Sequence, residues 1–107
     1  MEIKEISVYE LKELKDKGED FCLIDVRNPQ EFELCNIDGK LIPMSEIIER
    51  HAEIPKDCKV VVHCHHGGRS KKVIDWLQAN HGFDKLYNLS GGIHAWSEEI
   101  DSTVDQY

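Results

Sequence analysis

The segment Lys59-Val60-Val61-Val62-His63-Cys64 constrains this chain more than any other. Side chains alternate in direction along an extended strand, so three consecutive valines place branched apolar groups on both faces. Such a strand needs cover on both sides, the condition of a parallel sheet packed between helices. Phe21-Cys22-Leu23-Ile24-Asp25-Val26 is a second run of the same kind. Lys40-Leu41-Ile42, ended by Pro43, and Leu86-Tyr87-Asn88-Leu89 are shorter candidates.

Helical signals fall between these runs. Ser7-Val8-Tyr9-Glu10 reads as a capping box, with Leu11 and Leu14 on the buried face of a helix that Gly18 ends. Asn28-Pro29 is a cap followed by a first-turn proline, predicting a short helix through Phe32. Ser45 to about Ala52 reads as a short helix with Ile47 and Ile48 inward. Ser70 to His81 carries Val73, Ile74 and Leu77 on one face and is closed by Gly82, and a last helix runs from Gly92 to Glu99. The expected fold is α/β: a central, mostly parallel sheet of about five strands with helices on both faces. A single domain is expected over residues 1–107.

Composition excludes several classes of function. Apolar residues make up 40% and charged residues 32%, as in a soluble globular domain. A net charge of −8 leaves nothing to neutralise phosphates over a wide surface, so no nucleic-acid partner is expected. No apolar run is long enough to span a bilayer, so no membrane association is expected either. The opening Met-Glu-Ile-Lys-Glu-Ile lacks the basic and apolar regions of a secretory signal, which makes the cytosol the expected compartment. Cys22, Cys35, Cys58 and Cys64 form no C-x-x-C pair, so free thiols are expected instead of a zinc ribbon.

In an open parallel sheet, ligands bind at the carboxyl ends of the strands. Cys64 stands at such an end, and His65-His66-Gly67-Gly68-Arg69-Ser70 connects it to the next helix. Glycines let the backbone curl with its N–H groups inward, forming a nest for an anion. The helix N-terminus adds partial positive charge and Arg69 a full one. A thiol in this cup is expected to ionise more readily than a free cysteine. Its thiolate can attack a sulfane sulfur, and the same cup can hold the resulting persulfide.

The sequence also resembles a known family. Leu23-Ile24-Asp25-Val26-Arg27 with Glu31-Phe32 and Ile42-Pro43 is similar to the first signature of rhodanese domains. Val61-Val62-His63-Cys64 with Gly67-Gly68-Arg69-Ser70 resembles the active-site signature, and Leu89-Ser90-Gly91-Gly92-Ile93-His94-Ala95-Trp96 the closing one. Ile37 to Met44 and the tail through Asp105-Gln106-Tyr107 resemble the C-terminal rhodanese domain of adenylyltransferases that activate sulfur-carrier proteins. The departure is Cys35-Asn36, where many rhodaneses have Gly-His. The resemblance implies a rhodanese-type sulfurtransferase with Cys64 as catalytic residue, and a loop sized for sulfur; the alternative is a noncatalytic rhodanese-like interaction module, against which the intact Cys64 argues. Similar phosphatases and arsenate reductases carry Cys-x5-Arg, whereas Cys64 to Arg69 is Cys-x4-Arg.

The other candidates are weaker. His65 and His66 read either as the rim of the cup, orienting thiosulfate or a partner's C-terminus, or as exposed turn residues. Arg27 is a candidate anion contact, with a structural pairing to Glu31 favoured. Asp25 is expected to hydrogen-bond nearby backbone, Trp76 and Trp96 to pack, and the acidic C-terminal stretch to be a solvated tail. Cys22 reads as a core thiol, and Cys35 as the one further thiol near the active face. Neighbouring histidines on a strand and turn splay apart, so no metal site is expected, and the chemistry requires no organic cofactor. Expected partners are a small anionic sulfur donor such as thiosulfate and a sulfur-carrier or cysteine-desulfurase-type protein.

Overall fold

The computed structural model describes residues 2–107. Its strands are β1 (Lys4–Ile6), β2 (Phe21–Asp25), β3 (Lys40–Leu41), β4 (Lys59–His63) and β5 (Leu86–Leu89). Its helices are α1 (Val8–Lys17), α2 (Pro29–Leu34), α3 (Ile47–Arg50), α4 (Gly68–His81) and α5 (Gly92–Glu99). The strands form one sheet in the order β1-β5-β4-β2-β3. All four pairings are parallel.

β4 lies at the centre, and its alternation divides the core. Val60, Val62 and Cys64 join the cluster of Val73, Ile74 and Leu77 from α4. Val61 faces the opposite cluster, with Leu11 and Leu14 from α1 and Ile93 and Trp96 from α5. The three valines are fully buried, each side chain contributing about 1.5–3 kcal/mol by leaving water. Strand alternation thus sends the Cys64 side chain toward α4 just where the strand ends.

The caps form as the residues dictate. Ser7 and Glu10 close a reciprocal capping box on α1, and Gly18 ends that helix with φ 64°. Asn28 and Glu31 form the same device on α2, with Pro29 at its first position.

The structure departs from the sequence expectations at several places. β1 lies outside the strand-like runs of the sequence: with only Ile6 of its three residues buried, it carries little apolar pattern. The Ser45–Ala52 segment is one turn of α-helix, α3, between 3-10 turns at Met44–Glu46 and His51–Glu53. Ile47 is buried there, but Ile48 is 65% exposed, because so short a helix presents only one residue to the sheet. α4 begins two residues earlier than Ser70, at Gly68, and α2 continues to Leu34. The C-terminal stretch is mostly exposed, as a solvated tail would be, but it is tied back to the domain. Val104 packs against the α1/α5 cluster, its carbonyl accepts the Ser97 hydroxyl at 2.5 Å, and the chain then returns across the carboxyl end of the sheet.

Candidate active site

Cys64 is buried at the carboxyl end of β4, and the loop after it wraps its sulfur. Gly67 has φ 122°, a conformation that excludes other residues, and its N–H donates to Cys64 Sγ at 3.1 Å. Ser70 Oγ lies 3.5 Å from the sulfur. Burial opposes the charged form of Cys64, but the Ser70 hydroxyl and the backbone N–H groups of Ser70, Gly67 and Arg69 outweigh it. The thiol is lowered below its ordinary value. Because α4 starts at Gly68, these donors are the unpaired N–H groups of its first turn.

A second glycine turn supports the loop from below. Gly91 and Gly92 both have positive φ, and a Cβ on Gly92 would stand 2.6 Å from the Cys64 carbonyl oxygen. This close approach lets α5 spend its own unpaired N–H groups on the loop. Ile93 donates to Cys64 O at 3.0 Å and His94 to His65 O at 3.1 Å. With its carbonyls tied to α5, the loop keeps its N–H groups for the sulfur.

A buried polar relay reaches the sulfur from the surface. Ser70 Oγ contacts Gly67 O at 3.2 Å and donates to Asn88 Oδ1, while Asn88 Nδ2 donates to Glu5 Oε1 at 3.1 Å. Ser70 and Asn88 are almost wholly buried. Sequence reasoning missed Asn88, although a polar side chain inside the apolar run Leu86–Leu89 is a visible signal.

The charged residues pair differently from expectation. Arg27 is fully buried, and its acid is Asp25: Nε and Nη2 reach the carboxylate at 3.0 and 2.7 Å. It also donates to Cys35 O at 2.8 Å, Glu31 O at 3.3 Å and Tyr107 Oη at 2.9 Å. These contacts occupy the guanidinium and turn it away from a donor anion in the cup. Asp25 does take a backbone N–H, that of Arg27, at 3.0 Å. The Glu31 carboxylate pairs with Arg69 instead, at 2.7 and 2.9 Å. That bidentate pair, with the Tyr107 hydroxyl and the Asn28 cap, holds Glu31 down to about 2. Arg69 therefore gives the sulfur its backbone N–H, with its side-chain charge already compensated.

His65 is half-buried, with its ring stacked on Tyr107 at 3.9 Å and 5°. His66 is exposed at the rim. His63 faces the opposite side of the sheet beside Asp25, and burial pushes it down to about 4, which keeps it neutral. Cys35 Sγ donates to Asp105 O at 3.3 Å within the Arg27–Tyr107 assembly. Cys22 is half-buried against the α4-side core, and burial raises its thiol. Trp96 is buried and Trp76 packs against the core, as expected of both.

The rhodanese-like domain family matches residues 7–99. A sulfurtransferase of Allochromatium vinosum is 38% identical over 96 residues, covering 89% of each chain. The probable adenylyltransferase/sulfurtransferase MoeZ of Mycobacterium tuberculosis is 36% identical over 105 residues, 95% of this chain but 26% of that protein. The chain thus spans about a quarter of the length of that relative. The crystal structure of a rhodanese-like domain protein from Staphylococcus aureus superposes with a TM-score of 0.82 at 33% identity, covering 98% of this chain and 99% of that one. A family match across most of the chain, the all-parallel sheet and the cysteine cup at its carboxyl edge agree: the chain belongs to the rhodanese-like domain family.

Proposed function

We propose that this chain is a sulfurtransferase that carries sulfane sulfur as a persulfide on Cys64. The observation that carries this reading is the cup itself. It combines a thiol of lowered pKa, the Gly67 N–H at 3.1 Å and the first turn of α4 in a six-residue loop. The Cys64 thiolate attacks the outer sulfur of thiosulfate. The S–S bond of thiosulfate breaks, sulfite leaves with the bonding pair, and Cys64–S–S⁻ remains in the cup. An acceptor thiolate or cyanide then attacks the outer sulfur, and the Cys64 thiolate departs. The two half-reactions make a ping-pong cycle. Donors preorganised around the sulfur stabilise the attacking thiolate and the same thiolate as it departs in the second step.

Names among the relatives support the same class. They include a sulfurtransferase, an adenylyltransferase/sulfurtransferase and a putative sulfur carrier protein of Bacillus subtilis. The partners that suit the chemistry are a small anionic donor, a desulfurase-type persulfide and a sulfur-carrier protein, met in the cytosol. The test is thiosulfate turnover, with mass spectrometry of the trapped intermediate, in the four single Cys→Ser variants. Only Cys64→Ser is expected to lose both turnover and the sulfur adduct. Full activity in Cys64→Ser, or faster hydrolysis of aryl phosphates than use of any sulfane donor by the parent, overturns the reading.

A further inference from the structure

Two histidines follow the cysteine in sequence, and the tertiary structure brings a third to them. His94 enters from the start of α5, held by its N–H bond to the His65 carbonyl. Ring centroids are 4.1 Å apart for His65 and His66, 4.8 Å for His66 and His94, and 6.0 Å for His65 and His94. Each residue offers one ring nitrogen, and the three lie within 4.8 Å of one another. Contrary to the expectation that neighbouring histidines splay apart, the His65 and His66 rings lie together, and α5 adds a third.

Two features make the cluster more than a chance meeting of side chains. The first is outer support. His94 Nε2 lies 2.7 Å from Glu98 Oε1 one turn along α5, and His65 is clamped flat against Tyr107. A carboxylate on the far nitrogen of an imidazole fixes its tautomer and orients the ring, as it does for metal-bound histidines. The second is two unpartnered nitrogens. His65 Nε2 and His94 Nδ1 are buried and make no hydrogen bond. Leaving a buried polar atom unsatisfied is unfavourable, and a cation bound by these nitrogens would satisfy both.

We propose that His65, His66 and His94 form a binding site for a divalent first-row transition-metal ion, of which Zn²⁺ is the best fit, at the mouth of the Cys64 loop. Three imidazoles and one open position suit tetrahedral Zn²⁺. Bonds of about 2.0–2.1 Å require the nitrogens to close to roughly 3.3 Å from one another, so the His65 and His94 rings must turn toward each other as the exposed His66 ring swings in. Nothing in this site depends on sulfur transfer, so its test is independent of that reading.

The experiment is calorimetric titration of Zn²⁺ into Cys64→Ser, which removes the thiolate as a competing ligand. One equivalent is expected to bind. Glu98→Gln in this background should weaken binding about 10- to 100-fold, the usual effect of losing an outer partner, while Glu99→Gln, matched in charge, should not. His94→Ala should abolish the tight phase, and His66→Ala, whose ring is exposed, serves if His94→Ala fails to fold. With Co²⁺ as a probe, a tetrahedral spectrum without sulfur-to-metal charge transfer is expected. No uptake, uptake that survives loss of both His94 and His66, or a sulfur charge-transfer band overturns the proposal.

Discussion

Removing the Ser70 hydroxyl tests how the cup holds a negative sulfur. Ser70 Oγ carries one proton and faces three acceptors: Asn88 Oδ1, Gly67 O at 3.2 Å and Cys64 Sγ at 3.5 Å. While the sulfur is a thiol, the proton rests on an oxygen acceptor and Ser70 accepts the S–H. When the sulfur ionises, the hydroxyl turns to it and gives up the oxygen contact. A hydrogen bond to an ionised acceptor is worth about 1.5–3 kcal/mol and one to a neutral acceptor about 0.5–1.5, so the net gain is the difference, about 1 kcal/mol. Ser70→Ala should therefore reduce the thiolate population on the acid side of the Cys64 titration about five-fold. The assay is the ultraviolet absorbance of the thiolate against pH, with the Cys64→Ser titration subtracted. Alkylation should slow only about two-fold, because a more basic thiolate is also a better nucleophile, with a Brønsted slope of about 0.4–0.5. An unmoved thiolate midpoint in folded Ser70→Ala would mean that the backbone N–H groups alone hold the charge, and would refute the argument.

Three further outcomes follow from the geometry. Glu31→Gln releases the Arg69 guanidinium toward the donor and should raise kcat/KM for thiosulfate. Arg69→Ala leaves Glu31 uncompensated beside the loop and should lower it about 10- to 150-fold, and steady-state kinetics showing equal losses in both variants would refute this pairing. Glu31 is held at about 2 in the folded chain against 4.5 for the free group, so its stabilisation is full above the ordinary carboxylate range and is lost as pH falls toward 2. Urea melts of wild type and Glu31→Gln should converge across that window, and a constant gap would contradict it. Gly92→Ala meets both a φ of +61° and the Cys64 carbonyl, and should cost about 2 kcal/mol or more by denaturant unfolding. Wild-type stability in that variant would show that the glycine turn does not support the loop.

Much of this protein is local and was legible residue by residue. The unbroken apolar run Val60–Val62 required a strand covered on both faces. Ser7 with Glu10, and Asn28 with Glu31, set helix starts through bonds spanning three residues. Cys64, two glycines and a following helix defined the cup within seven positions. In each case the partners lie within a few residues, so pattern and spacing alone determine the geometry. The tertiary structure decided what depends on partners distant in the chain. It gave Glu31 to Arg69, which left Arg27 to its near neighbour Asp25, brought Asn88 to Ser70, stacked Tyr107 on His65 and delivered His94 to the rim. Ile48 and β1 were misjudged for a related reason: a short element has too few residues to show a period, and its buried face is chosen by what it packs against. An ionic or aromatic side chain satisfies several geometrically equivalent partners, and only the folded arrangement of the strands selects one of them.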